Sequence, residues 1–149
     1  GQHALWRIFP DENLAVTLLT NGPGSREVFK DLFSEISGIK IPDQPKVPDD
    51  PPKLDLSRYA GSYERLAIRY DLAEEDGKLA GTVTVSGPLA KMIPDPVTHL
   101  SMTPVDEKTF LVFSEDAGEE PGTAAFYDFV DGVPRYMHSG ARANRRVGD

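Results

Sequence analysis

The sequence predicts a mainly β protein: an antiparallel β-barrel, or a strongly curved meander, preceded by one β-hairpin and one α-helix. Three observations carry that expectation. Beyond residue 61, short apolar-polar alternations recur roughly every ten residues, separated by turn residues and without helical period. Before residue 39, two β-rich runs are followed by a single stripe at helical spacing. Between the halves, five prolines fall within the eleven residues 42–52, the composition of a semi-extended linker. The expected organisation is therefore a hairpin and helix in 1–38, a linker in 39–53 and a barrel in 54–149.

The chain has 149 residues, 39% hydrophobic and 27% charged, enough for one sizeable core and one smaller unit. Its net charge of −8 and pI near 4.8 oppose binding to phosphate backbones and anionic membranes, so nucleic acid is not an expected partner. Arg135, Arg142, Arg145 and Arg146 gather near the end and read as ordinary solvated or interdomain charge. With no cysteine, disulfides and thiolate metal sites are excluded. No apolar run approaches the roughly 20 residues of a membrane-spanning helix. The opening residues read as a strand rather than a leader, which leaves the compartment, cytoplasmic or secreted, open.

Residues 2–9 and 14–20 read as strands joined by the Pro10-Asp11-Glu12-Asn13 turn, the second apolar enough to be buried on both faces. Ser25 is placed to cap a helix whose Val28, Phe29, Leu32, Phe33 and Ile36 form one stripe. Gly38 is placed to end that helix in a left-handed conformation. A hairpin and one helix bury too little to stand alone, so 1–38 are expected to lean on further protein. In 54–65, Leu54-Asp55-Leu56 precede an expected cap at Ser57, an aromatic anchor at Tyr59 and a hinge at Gly61. Leu66, Ile68, Tyr70 and Leu72 then mark the core face of one strand, and Leu79, Gly81, Val83 and Val85 that of the next, across an Asp76-Gly77 turn. Further strands are expected at 99–103, 109–114, 123–130, 135–138 and 142–147, with turns at 105–108, in a Gly/Glu/Pro loop and at Asp131-Gly132. Phe110, Phe113, Phe126, Tyr136 and Met137 are expected to fill the interior.

Three segments carry a resemblance: GQHALWRIFPDENLAVTLLTNG (1–22), LDLSRYAGSYER (54–65) and GARANRRV (140–147). Together they resemble the C-terminal part of actinobacterial serine hydrolases related to class C β-lactamases. That resemblance implies that 1–38 end a truncated α/β hydrolase domain and that 54–149 form an appended lipocalin-like barrel. It further implies a noncatalytic accessory role beside a catalytic domain. The alternatives are a small-ligand-binding module and a structural or dimerising domain. The expected partner is the remainder of the hydrolase domain, or a second copy, through residues 1–38.

No catalytic residue is assigned. Serine hydrolases of this kind need S-x-x-K at the start of a helix, where the amine helps activate the hydroxyl. Ser37-Gly38-Ile39-Lys40 matches as text but closes a helix. His138-Ser139-Gly140 imitates the family's strand-borne K-T-G element at the wrong place, and Y-x-N, S-D-N and G-x-S-x-G are absent from the sequence. His3, His99 and His138 lack zinc-ligand spacing, and the acidic runs Glu74-Glu75-Asp76 and Glu115-Asp116 with Glu119-Glu120 lack that of calcium loops, so no metal or cofactor is expected. Tyr59, Tyr63, Arg65 and Arg142 carry two readings. In the first they are structural, buried rings with polar tips and arginines pairing across the barrel closure; in the second they read a ligand.

Overall fold

The computed structural model describes residues 2–22, 25–41, 43, 45–114 and 121–148. The chain divides into two compact units, Gly1–Gln44 and Pro45–Asp149. In the first, strands β1 (His3–Phe9) and β2 (Leu14–Thr20) pair antiparallel around a 3-10 turn at Pro10–Glu12. Proline opens that turn, and Asn13 closes it in the left-handed region at φ 51°. Helix α1 (Ser25–Ser37) ends where Gly38 takes φ 70° and its N–H bonds the Ser34 carbonyl at 2.9 Å. Ser25 is itself the first helical residue, not the cap ahead of it.

The unit's core is small. Val16, Phe29 and Phe33 are buried, with Leu5, Phe9, Leu14, Leu18 and Ile41 packed around them, and the Phe33 ring lies 4.9 Å from Phe9 and 5.2 Å from Phe29. Two expectations need correction. The helix stripe is split, because only Phe29 and Phe33 face the hairpin, while Val28, Leu32 and Ile36, one turn apart on another face, are exposed. Likewise β2 is covered on one face only: Val16 is buried and Leu14 and Leu18 turn the same way, whereas Leu19 is 74% exposed. The reason is shared, since one helix can cover one face of a two-stranded ribbon.

In the second unit eight antiparallel strands close into a barrel, which decides between barrel and meander. They are β3 (Gly61–Arg65), β4 (Ile68–Glu75), β5 (Lys78–Val85), β6 (Val97–Pro104), β7 (Thr109–Ser114), β8 (Gly122–Val130), β9 (Val133–Ser139) and β10 (Arg142–Val147). Each pairs with the next, and β10 returns to pair with β3. Asp76-Gly77 and Asp131-Gly132 both take positive φ at both residues, as two-residue hairpins require. The expected single run through Leu66 and Ala67 is instead a third tight hairpin. Ala67 sits at φ 63° and Leu66 is 94% exposed, an arrangement that neither residue type announces. A short helix α2 (Gly87–Ala90), not anticipated, interrupts the β5–β6 connection. Residues 115–120, including the second acidic run, lie outside the described residues.

Inside the barrel Tyr63, Leu79, Met102, Phe110, Ala124, Phe126 and Met137 are fully buried. Phe113 and Tyr136 do not join them: Phe113 is exposed, and Tyr136 stacks on Tyr127 at 5.4 Å one register step from the inward Phe126–Met137 pair. Ser57 is no cap either. It lies within a 3-10 turn (Leu56–Arg58) whose capping position is Asp55, and its hydroxyl donates to the Asp55 carboxylate at 2.5 Å. That turn inserts Leu56 and Tyr59 into one end of the barrel core.

Gly81 pairs with Leu72 on the core face of β5, where an added Cβ would overlap the Asp71 carbonyl. Gly81→Ala is expected to lower barrel stability by about 1–3 kcal/mol, the usual cost of overpacking, read as an earlier midpoint in urea. An unchanged midpoint would show that β4 and β5 leave room for a methyl group at this position.

Candidate functional site

The two ends of the barrel differ in chemistry, and the four sequence-derived candidates divide between them. At the plugged end, Tyr59 and Tyr63 are buried and in contact with Phe126, ring centroids at 5.1 and 5.6 Å. The Tyr59 hydroxyl donates to the Glu107 carbonyl at 2.7 Å, and the Tyr63 hydroxyl donates to the Tyr59 carbonyl at 2.9 Å. Arg146, which the sequence reading left among solvated charges, organises this end. Its Nη1 donates to the Tyr63 hydroxyl at 2.9 Å and to the Arg58 carbonyl at 3.3 Å, while Nη2 donates to the Ala60 carbonyl at 2.5 Å. The guanidinium carbon lies 5.5 Å from the Tyr63 ring centroid. Gly61, at φ 139°, leaves room for it, since a Cβ there would sit 2.8 Å from Nη2. Gly61 is therefore less a hinge than the floor of an arginine seat. Arg58 makes the parallel tie to the next turn, Nε donating to the Gly132 carbonyl at 2.6 Å.

An open groove of about 410 Å³ runs outside this end, along Ser62, Glu64, Arg69 and Arg146 to Gly148. Its charges are mutually satisfied. Arg69 Nε donates to both Asp71 carboxylate oxygens at 2.9 Å, Nη2 donates to Ser62 Oγ at 2.9 Å, and Nη1 bonds Glu64. The Arg69 hydrogen bonds, helped by Ser62 and opposed by partial burial, hold the Asp71 carboxyl below its usual range. These exposed pairs stabilise the β3–β4 ribbon slightly and leave no group free to act on a ligand.

At the opposite end lie Arg65 and Arg142. Arg65 pairs with the core-packed Ile68, and Arg142 pairs with Ser139, so alternation turns both to the inner face. Neither has a hydrogen-bonding or ionic partner among the described residues, and Arg65 Nε is buried. The expected pairing of these two arginines with acids across the closure is not found; Arg146 holds the closure instead, through carbonyls and a phenol. Asn144, between Arg142 and Arg146 on the same face, is fully buried. Its Nδ2 donates to the Met137 carbonyl at 2.9 Å and the Arg142 carbonyl at 3.3 Å, while Oδ1 has no partner. Nearby, the Tyr70 hydroxyl donates to Ser139 Oγ at 3.4 Å. Sequence reasoning missed Asn144, although a lone asparagine on an inward strand position was a readable signal.

The sequence matches to hydrolase motifs do not assemble. The Ser37 hydroxyl donates to the Phe33 carbonyl at 2.7 Å and accepts from the Ile39 N–H at 3.1 Å, binding it into the helix terminus. Ser139 of the His138-Ser139-Gly140 segment faces the barrel interior with Tyr70. Among the described residues no set of three or more His, Asp or Glu side chains is placed to hold a metal ion. No helix among them is long and apolar enough to cross a membrane.

The architecture is thus a closed eight-stranded antiparallel barrel with a separate hairpin-helix unit before it. No family model matches the chain. Penicillin-binding protein 4 of Amycolatopsis lactamdurans is 35% identical over 69 residues, which are 44% of this chain and 18% of that protein. Among solved structures, the crystal structure of SurE with D-Leu covers 99% of this chain at TM-score 0.59 and 20% identity, over 33% of its own length. A second crystal structure of SurE gives 99% coverage, TM-score 0.63 and 21% identity, over 32% of its length. The chain is therefore similar in part to β-lactamase-related proteins, as the resemblance in its sequence implies, and spans about a third or less of their length. At these identities the SurE structures speak to the fold alone.

The Arg146 seat sets two expected outcomes. Arg146→Ala should destabilise the barrel by about 2 kcal/mol, because the Tyr63 hydroxyl and the Ala60 carbonyl lose a charged donor, and Arg146→Lys should recover only part of that, lacking the fork. Burial raises the Tyr63 pKa, outweighing the opposing Arg146 charge and hydrogen bond, and burial likewise raises that of Tyr59. Ionisation is disfavoured in the folded state, so this contribution is constant below the unfolded tyrosine value of about 10 and is lost as pH rises above it. Denaturation midpoints that hold between about pH 8 and pH 9.5 and then fall would fit; a flat profile through pH 11 would not.

Proposed function

We propose that this chain is a noncatalytic C-terminal portion of a β-lactamase-related serine hydrolase, its barrel an accessory domain that works beside the catalytic domain. Residues 1–38 are then the closing hairpin and helix of that catalytic domain, 39–53 its connecting linker and 54–149 the appended lipocalin-like barrel. The observation that carries this reading is the first unit's surface. Trp6, Ile8 and Leu19 share the outer face of the hairpin, with Trp6 63% exposed, while Val28, Leu32 and Ile36 line a free helix face. An apolar sheet face and an apolar helix face, both uncovered, are what a piece of a layered α/β domain presents when its neighbours are absent. The partial similarity to penicillin-binding protein 4 and SurE supports the same reading.

The partner expected for those faces is the remainder of the hydrolase domain, and a second copy is the alternative. Co-expression with the hydrolase portion of a relative such as penicillin-binding protein 4 should yield a complex in which Trp6 fluorescence shifts to the blue. Co-purification through the barrel alone, with Trp6 still solvent-exposed, would contradict it.

By itself the chain should not turn over activated esters or a chromogenic cephalosporin, because the Ser37 hydroxyl is held by the helix terminus. Ser37→Ala should change nothing. Hydrolysis that survives purification and disappears in that variant would overturn the noncatalytic assignment.

A further inference from the structure

Beyond an accessory role, we propose that the end of the barrel carrying Arg65 and Arg142 is a binding site for a small organic carboxylate carrying an N–H or O–H donor next to its charge. A guanidinium turned toward a barrel interior ordinarily has a carboxylate or several carbonyls to replace lost water, as Arg146 has at the other end. Among the described residues Arg65 has neither, although its Nε is buried, and the exposed Arg142 has no partner beyond Ser139 on the same inner face. Two cations without a partner among the described residues, at one end of a barrel in a chain of net charge −8, mark a local reversal of sign among those residues. A bound anion is the group that satisfies them, and a carboxylate matches the planar fork of arginine.

Asn144 narrows the class. Counting one step on from the Arg145–Glu64 pair places Asn144 beside Arg65, and its Oδ1 is a fully buried acceptor without a donor. Leaving such an acceptor unpaired is costly, so a donor is called for close to where the anion sits. Acetate supplies charge but no such donor; an N-acylated amino acid supplies both. The wall beneath is apolar, with Ile68, Val83 and Val112 packed on the core, which suits an aliphatic side chain.

The test uses the intact chain, with N-acetylvaline as probe, its methyl ester and acetate as controls, and calorimetry together with the Asn144 side-chain amide signal as readouts. N-Acetylvaline should bind with a dissociation constant of about 1 mM or tighter and move the Asn144 signal, the ester should not bind, and acetate should bind at least about tenfold more weakly. Arg65→Gln and Arg142→Gln should each weaken binding about tenfold or more. Arg65→Met should leave the thermal midpoint unchanged or raised, because an unpartnered cation held for a ligand gives the empty protein nothing. No binding of N-acetylvaline, equal binding of its ester, or clear destabilisation by Arg65→Met would each overturn the proposal, the last by making Arg65 a structural residue.

Discussion

The closure of the barrel depends on one arginine reaching from the last strand to the segment before the first. A barrel removes the sheet edges that would otherwise be left unpaired, but only if its terminal strands are held in register. Here the β10–β3 ladder runs over three residue pairs, Arg145–Glu64 to Val147–Ser62. Arg146 adds hydrogen bonds to the Arg58 and Ala60 carbonyls and the Tyr63 hydroxyl, all within the entry segment. Residues more than eighty positions apart are thereby locked together, and the plug turn is tied to the strand it feeds. The glycine at position 61 follows from that arginine, as does the buried phenol at 63.

The contrast between the ends follows from how each satisfies its polar groups. At the plugged end the carbonyls of Arg58, Ala60, Tyr59, Glu107 and Gly132 all accept from Arg146, Tyr63, Tyr59 or Arg58 side chains. At the opposite end Arg65 and the Asn144 carbonyl oxygen are left over among the described residues. A fold of this size tolerates few such groups, and their meeting on one inner face is the feature that sets this end apart. The first unit shows the same imbalance in apolar rather than polar form, with outward Trp6, Ile8 and Leu19 where a free-standing unit would carry charge.

Much of this was legible in the sequence, because periodicity reports burial directly. The strand pairs around Asp76-Gly77 and Asp131-Gly132, the helix ending at Gly38 and the anchoring by Tyr59 all follow from local residue chemistry. The Leu66–Ala67 hairpin did not, since the exposed Leu66 falls in phase with Ile68, Tyr70 and Leu72 and no glycine or asparagine marks the bend. Phe113 and Tyr136 were misplaced because aromatic size suggests a core while only register fixes the face. The site was harder. Tyr59, Tyr63, Arg65 and Arg142 attract notice as a group, yet antiparallel strands carry them to opposite ends, and nothing local distinguishes the structural Arg146 from its neighbour Arg145.

Native-state hydrogen exchange on the intact chain tests most directly the claim that a self-sufficient barrel follows a unit lacking its covering layers. The account predicts that β3, β4, β9 and β10 amides exchange only through global unfolding, while β1, β2 and α1 amides exchange through a separate opening of much lower free energy. Equal protection of both units in a monomer would contradict it, because the hairpin and helix would then be complete as they stand.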